Sequence, residues 1–284
     1  MYIRYEKIAV KHIEILDGQT KQRLKMAIEK LPFGDLITIK DVLPRGRKMN
    51  LRILFEDAYV IVCYKPSGLP TQTANPSAAD MVSLLKNYLY KNQKEKKEPY
   101  VAVIHRLDQP VEGILVFAKT PFAAKELNKQ MQQGNGFGKY YKAVLCGVPR
   151  EKSGVLEDYL VKDGKTNTSR VCSASEKDAK KAILSYEVLN TFETEGQTRS
   201  LVRVKLDTGR HHQIRVQMAN MGCPIWGDTK YGVQDGTKKS NGAWQKIALC
   251  AYRLEFTHPK TKKQMTFEIE PENFPLPDEE LSWG

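Results

Sequence analysis

Val101-Ala102-Val103-Ile104-His105-Arg106-Leu107-Asp108-Gln109-Pro110 sets an apolar stretch against a charged one that ends in proline. Val101 to Ile104 reads as a strand, since valine and isoleucine suit a pleated, half-buried surface. His105 to Pro110 reads as a loop at the strand's end, where reactive groups are usually presented. Gly113 to Ala118 follows as a second apolar strand. An arginine two residues before an aspartate also suits a plain surface ion pair. The loop alone therefore leaves its role open.

Outward from this point, strands recur. Ile53 to Asp57 and Tyr59 to Tyr64 read as two strands around a turn at Asp57-Ala58. Lys65-Pro66-Ser67-Gly68-Leu69-Pro70 reads as a rigid loop, because proline fixes φ and Gly68 permits a sharp turn. Tyr140 to Leu145, Ala182 to Val188, Leu201 to Leu206, Ala248 to Phe256 and Gln264 to Ile269 are further strands. Three helices are expected in the same region. Met81 to Tyr90 carries Leu84, Leu85 and Tyr88 on one face, and a charged loop, Lys91 to Glu98, follows. Ala123 to Gln133 ends at Gly134-Asn135-Gly136, and His211 to Met221 closes at Gly222 before Pro224. Strands outnumber helices and do not alternate with them regularly. That pattern predicts an α+β fold with a mainly antiparallel sheet.

Residues 1–48 read as a small N-terminal segment, and 49–284 as the main domain. Gln19 to Leu31 has helical spacing at Leu24, Ala27, Ile28 and Leu31, and Pro32-Phe33-Gly34-Asp35 breaks it. Pro44 to Lys48 is a short basic link. The 284 residues, 41% of them apolar, suffice for a sizeable core. No apolar run approaches the roughly 18 residues of a membrane helix, and the charged N-terminus lacks a signal-peptide stretch. A cytoplasmic protein is expected. Five widely spaced cysteines without a Cys-x-x-Cys pair argue against a disulfide framework or zinc ribbon. A net charge of +12, from 45 basic and 33 acidic side chains, favours polyanionic partners.

Two more segments carry chemistry. In Leu206-Asp207-Thr208-Gly209-Arg210-His211-His212-Gln213-Ile214-Arg215, a strand ends and a helix starts among basic and amide side chains. Free N–H groups at a helix start suit phosphate or carboxylate. Two arginines, two histidines and a glutamine so close together are costly to bury without an acidic partner. Consecutive histidines point to different helix faces, unlike the i, i+4 pairs of zinc helices, so no metal is expected. In Gly138-Lys139-Tyr140-Tyr141-Lys142-Ala143, strand geometry puts Lys139, Tyr141 and Ala143 on one face. Tyrosine beside lysine suits base stacking and phosphate holding, although a strand aromatic also suits the core.

Taken together, these segments resemble the RluA family of pseudouridine synthases, over about Leu51 to Ile269. The resemblance lies in Ile53-Leu54-Phe55-Glu56-Asp57, Lys65-Pro66-Ser67-Gly68-Leu69-Pro70, His105-Arg106-Leu107-Asp108 and Lys139-x-Tyr141-x-Ala143. It continues in Thr208-Gly209-Arg210-x-His212-Gln213-Ile214-Arg215 and Gly222-x-Pro224-Ile225-x-Gly227-Asp228-x-x-Tyr231-Gly232. It implies a mixed, mainly antiparallel sheet with a central catalytic cleft. It implies isomerisation of uridine in structured ribosomal or transfer RNA, by a monomer without cofactor or metal. Asp108 matches the family's catalytic aspartate, Tyr141 the tyrosine that stacks on the target base, with a part in proton removal as a further implied role, and Arg215 the arginine that pairs with the aspartate. Arg106 matches the arginine that helps displace the target nucleotide. His105, Lys139, Arg210, His212 and Gln213 are the remaining RNA-binding candidates.

Two departures stand out. Val111-Glu112-Gly113 replaces a common Thr-Ser-Gly, and residues 1–48 lack the pattern of the S4 domain that many relatives carry. A Glu112 facing Asp108 would blunt the nucleophile; the expectation is that it points away or meets a cation. A non-catalytic RNA-binding or ribosome-assembly protein of the same fold is the alternative reading. A hydrolase using Asp108 with His105 or His212 is a third, with no supporting nucleophile–base spacing.

Overall fold

The structure is a computed structural model, and it describes residues 51–75, 78–94, 97–134, 136–194, 196–232, 246–272 and 274. The expected helix over Gln19 to Leu31 lies outside them. Leu51–Gln72 and Asp80–Gly284 form one compact unit, and Thr73–Ala79 groups with another. The sheet, its flanking helices and the loops of the site all belong to the first unit.

Eleven strands make one sheet among the described residues: β1 (Arg52–Glu56), β2 (Val60–Lys65), β3 (Ala102–Val103), β4 (Glu112–Ala118), β5 (Phe137–Cys146), β6 (Ser153–Asp163), β7 (Thr168–Cys172), β8 (Lys180–Thr194), β9 (Gln197–Leu206), β10 (Leu249–Thr257) and β11 (Gln264–Glu268). The order is β1-β2-β4-β10-β5-β9-β8-β6-β7, with β11 beside β10 and β3 beside β4. Every named pairing is antiparallel except β4 with β10, where Glu112 and Gly113 lie opposite Cys250 and Ala251. The fold is thus α+β with a mixed, mainly antiparallel sheet. Gly113, at φ +136°, is required at that junction: a Cβ there would sit 2.5 Å from the Ala251 carbonyl oxygen.

Three helices flank the sheet: α1 (Met81–Asn92), α2 (Pro121–Gln133) and α3 (Gln213–Asn220). Asp80 caps α1 in a capping box with Ser83, and Thr120 caps α2 ahead of Pro121. Strand alternation gives the sheet two apolar faces. One gathers Leu107, Val111, Leu115, Tyr141, Ala143 and Val204 with Leu85 of α1 and Ile214 and Met218 of α3. The other gathers Val62, Ile114, Val116, Cys250 and Leu254 with Ala123 and Leu127 of α2. Leu107 and Val111, on either side of Asp108, pack on the first face. No described helix is long and apolar enough to cross a membrane.

Within the described residues the expected strands and helices recur, with β3 shortened to Ala102–Val103 and longer ends for β5, β8 and β9. Two strands were not expected: β6 and β7, a hairpin at the sheet's edge. Lys91 and Asn92, expected in a loop, continue α1. The third helix starts at Gln213 rather than His211, because His212 takes a left-handed backbone, φ 55°, just before it.

Candidate active site

Asp108 sits in the loop between β3 and β4, and backbone-directed hydrogen bonds hold that loop. Thr71 Oγ1 donates to the Leu107 carbonyl at 3.0 Å and accepts from the Leu107 N–H at 3.1 Å. The Gly68 N–H donates to the Gln109 carbonyl at 2.9 Å, and Gln109 Nε2 to the Gly68 carbonyl at 3.0 Å. Ser67 Oγ donates to the Pro110 carbonyl at 2.7 Å. Beneath them lies Lys65, fully buried at the end of β2. Its Nζ donates to the carbonyls of Leu69 at 2.6 Å, Pro66 at 3.0 Å and Gln109 at 3.1 Å. Burial pulls this ammonium down to about 7, against the opposing pull of Asp108 and Glu112. The sequence marked Lys65 only as part of a rigid loop; the structure makes it the tie between two loops.

Arg215 reaches Asp108 from α3. Its Nη1 lies 3.2 Å from Asp108 Oδ2, and the expected pair is therefore formed. The aspartate side chain keeps 27% of its exposure while the arginine keeps 4%. A second carboxylate holds the guanidinium. Asp228, whose side chain is fully buried, accepts from Arg215 Nε and Nη2, both at 2.8 Å. Such fork-on-fork pairing is the strong form of this contact. Asp228 Oδ1 also accepts the N–H groups of Lys230 and Tyr231, and the Tyr231 ring lies 5.1 Å from the guanidinium carbon. Burial pulls the Arg215 guanidinium down, but Asp228 and Asp108 outweigh it and leave it above its usual value. Sequence alone assigns Asp228 no role; its position beside Arg215 supplies one.

Tyr141 lies on β5 opposite Val204, on the same apolar face as Leu107 and Val111. Burial, then the charge of Asp108, push its phenol well above the usual tyrosine value. It is a neutral ring at physiological pH.

The remaining candidates divide. Arg106 and Arg210 are exposed, and Arg210 Nε donates to the Lys181 carbonyl at 2.8 Å. Lys139 is partly buried, and its ammonium, lowered first by burial, lies close to Gly209. His105 and Gln213, expected to face RNA, are buried instead. His105 Nε2 accepts the Val116 N–H at 3.3 Å, its ring meets Phe137 edge-on, and burial lowers its pKa to about 3. Gln213 Oε1 accepts from Thr208 Oγ1 and the Arg210 N–H, and its Nε2 donates to the Ile183 carbonyl. It braces the turn before α3, since a turn's backbone groups need partners as much as a ligand does.

His212 is buried too, but beside Asp108: its Nε2 is 3.6 Å from Oδ2. Because its left-handed backbone puts it outside the helix, its ring stacks on that of His211, 3.7 Å between centroids, rather than pointing to a different face. Burial lowers it to about 4, with Asp108 opposing.

Glu112 points away from Asp108, as expected. On β4 it shares the face of Ile114 and Val116, where its carboxylate accepts from Tyr64 Oη and the Glu272 N–H, both at 3.0 Å. Among the described residues, no cluster of three or more His, Cys, Asp or Glu is placed to hold a metal ion.

Known proteins resemble this chain in sequence and in fold. The family model for RNA pseudouridylate synthase matches residues 59–220. The ribosomal large subunit pseudouridine synthase D of Nitrosomonas europaea is 32% identical over 246 residues, covering 85% of this chain and 67% of that one. The protein of the same name from Neisseria meningitidis serogroup A is 36% identical over 242 residues, covering 81% of this chain and 59% of its own length. Among solved structures, human RNA pseudouridylate synthase domain containing 1 is similar in fold, with a TM-score of 0.64 at 22% identity, over 82% of this chain and 88% of that one.

Proposed function

Since the chain belongs to the RNA pseudouridylate synthase family, in its RluA branch, we propose that Asp108 is its reacting carboxylate and that its substrate is a uridine of large-subunit ribosomal RNA. The substrate follows from the names of the relatives in Nitrosomonas europaea and Neisseria meningitidis. The observation that carries the residue assignment is the Arg215–Asp108 contact at 3.2 Å, beside the buried ring of Tyr141.

The chemistry asks little beyond these groups. The bond from C1′ to N1 breaks, uracil turns, C5 joins C1′, and the proton on C5 is lost. Atoms are conserved, so no redox partner enters. Uracil leaves as a stabilised anion, so one carboxylate suffices where glycosidases use two. Arg215 supplies the positive charge that a partly desolvated carboxylate needs.

The base must first leave its helix or loop, at a cost of a few kcal/mol. Stacking on an aromatic ring such as Tyr141 returns roughly 1–3 kcal/mol per base. A phenol held above its usual value suits this neutral, stacking role better than that of a phenolate base. Arg106, Arg210 and Lys139 are the cations assigned to phosphate contact, and that share of affinity weakens with salt. Residues 49–284 form the catalytic domain in this reading, and residues 1–48 help choose the target. It acts as a cytoplasmic monomer.

Tritium at C5 of uracil reports the reaction directly. Wild type should release it from large-subunit ribosomal RNA, and Asp108→Asn should do so at least about 10³-fold more slowly, the scale for losing a reacting group. Equal release by both proteins removes Asp108 from the mechanism. Mapping pseudouridine in the RNAs of a deletion strain identifies the uridine, and a site lost only from transfer RNA overturns the substrate assignment.

A further inference from the structure

His212 is not needed for the pairing of Arg215 with Asp108, yet its Nε2 approaches the same carboxylate oxygen. Its proton position can be argued from its neighbours. Tyr231 Oη lies 2.7 Å from His212 Nδ1 and accepts the Ser169 N–H at 2.8 Å. A phenol oxygen that already accepts one hydrogen bond has its own proton left to place. Given to Nδ1, that proton makes Nδ1 the acceptor. The neutral imidazole then carries its one proton on Nε2, 3.6 Å from Asp108 Oδ2. The other tautomer leaves the Tyr231 proton without this acceptor and points a bare Nε2 lone pair at a carboxylate. Only the first arrangement gives the Tyr231 proton an acceptor and turns an N–H, rather than a lone pair, towards the carboxylate.

The neighbours on each element packed here fit that state. The ring is buried and sits among Arg215, His211 and Lys230, all of which oppose a second proton, while Asp108 alone favours one. His211 is occupied separately, its Nδ1 2.9 Å from Ser169 Oγ.

We infer that His212 is a positioning residue for Asp108, held as the Nε2–H tautomer by Tyr231 and the Ser169 N–H, so that Oδ1 is the oxygen that meets the nucleotide. The inference rests on the reading of Asp108 as the reacting carboxylate. Both side-chain contacts of Asp108 fall on Oδ2: Arg215 Nη1 at 3.2 Å and His212 Nε2 at 3.6 Å. Oδ1 accepts no hydrogen bond among the described residues. Arg215 donates to Oδ2 and His212 Nε2 is directed at the same oxygen, which biases the carboxylate's orientation and leaves the lone pairs of Oδ1 free. At 3.6 Å the histidine contact is longer than a hydrogen bond. Contacts of this kind commonly tighten in the complex with substrate.

Tyr231→Phe is the informative variant, because the ring under Arg215 stays and only the hydroxyl goes. The tautomer is read by ¹⁵N NMR of the full chain at neutral pH, with the His212 signals identified by their loss in His212→Gln. Wild type should show a protonated Nε2 and a bare Nδ1, and Tyr231→Phe should shift His212 towards a tautomer mixture. On RNA, Tyr231→Phe should lower kcat about tenfold, the worth of one oriented hydrogen bond, and leave KM within about twofold. A protonated Nδ1 in wild type, or an unchanged kcat in Tyr231→Phe, overturns the inference. An active Asp108→Asn instead overturns the reading beneath it, whatever tautomer His212 shows.

Discussion

The two sides of the Asp108–Arg215 pair are held in opposite ways. Asp108 rides on a loop stitched by hydrogen bonds to main-chain groups of Leu107, Gln109 and Pro110. Several donors share that task, and Lys65 alone serves two loops. Arg215 rides on a short helix and is aimed by one side chain, Asp228, buried with it. The aspartate's side is redundant. The cation's side has a single point of failure. A loop held through its backbone tolerates changes of side chain, while a buried ion pair does not tolerate the loss of one member.

Asp228→Ala tests that contrast most severely. It leaves the Arg215 guanidinium buried without its main partner, and should cost about 3–5 kcal/mol in denaturant unfolding. A loss below about 1 kcal/mol would mean that Asp108 alone can hold the arginine.

Lys65→Met comes next. Removing the amine orphans three carbonyls, at a cost of about 1–3 kcal/mol. The cost should depend on pH in a stated direction. The folded pKa of Lys65 is about 7 against an ordinary 10.5, so between those values the unfolded chain binds a proton that the folded one does not. Its contribution to stability therefore rises with pH from about 7 to about 10.5. The variant lacks this rise, so its deficit should be larger at about pH 9.5 than at about pH 6. Urea unfolding at the two values checks this, and a deficit independent of pH would refute the lowered pKa.

Ser67→Ala should do least. It deletes one of several ties to the Asp108 loop, so stability should fall by about 0.5–1.5 kcal/mol and kcat should stay within about twofold. A large loss of kcat without loss of stability would show that the loop is not redundantly held.

Legibility in the sequence tracks the physics of each element. Strands with valine and isoleucine packed on two faces, such as β2 and β4, were legible because their apolar content exceeds any loop's. The β6–β7 hairpin was not. Glu157, Lys162 and Asp163 break its pattern, and at the sheet's edge few of its side chains are buried. Asp108 and Arg215 were legible as a pair through the family resemblance, while the basic cluster by itself asks only for some acidic partner. The choice between acids was not, and Asp228 takes the larger share of Arg215 through a contact that only the folded turn creates. His105 and Gln213 misled for a related reason: a polar side chain beside a reactive loop can be spent on the protein's own backbone. His212 drew notice as one of two adjacent histidines, but a left-handed backbone before a helix is not visible in its side-chain type.

The parallel contact between β4 and β10 has a consequence for how the molecule is made. The strand that leaves the Asp108 loop finds its neighbour more than a hundred residues later, at Cys250 and Ala251. Contacts so distant in sequence form late, because the intervening chain must close first. On the ribosome, the Glu112–Gly113 end of β4, beyond its short pairing with β3, waits uncovered on one edge until almost the whole sheet has emerged. Arg215 follows Asp108 by 107 residues, so a nascent fragment that already contains the aspartate still lacks its ion-pair partner.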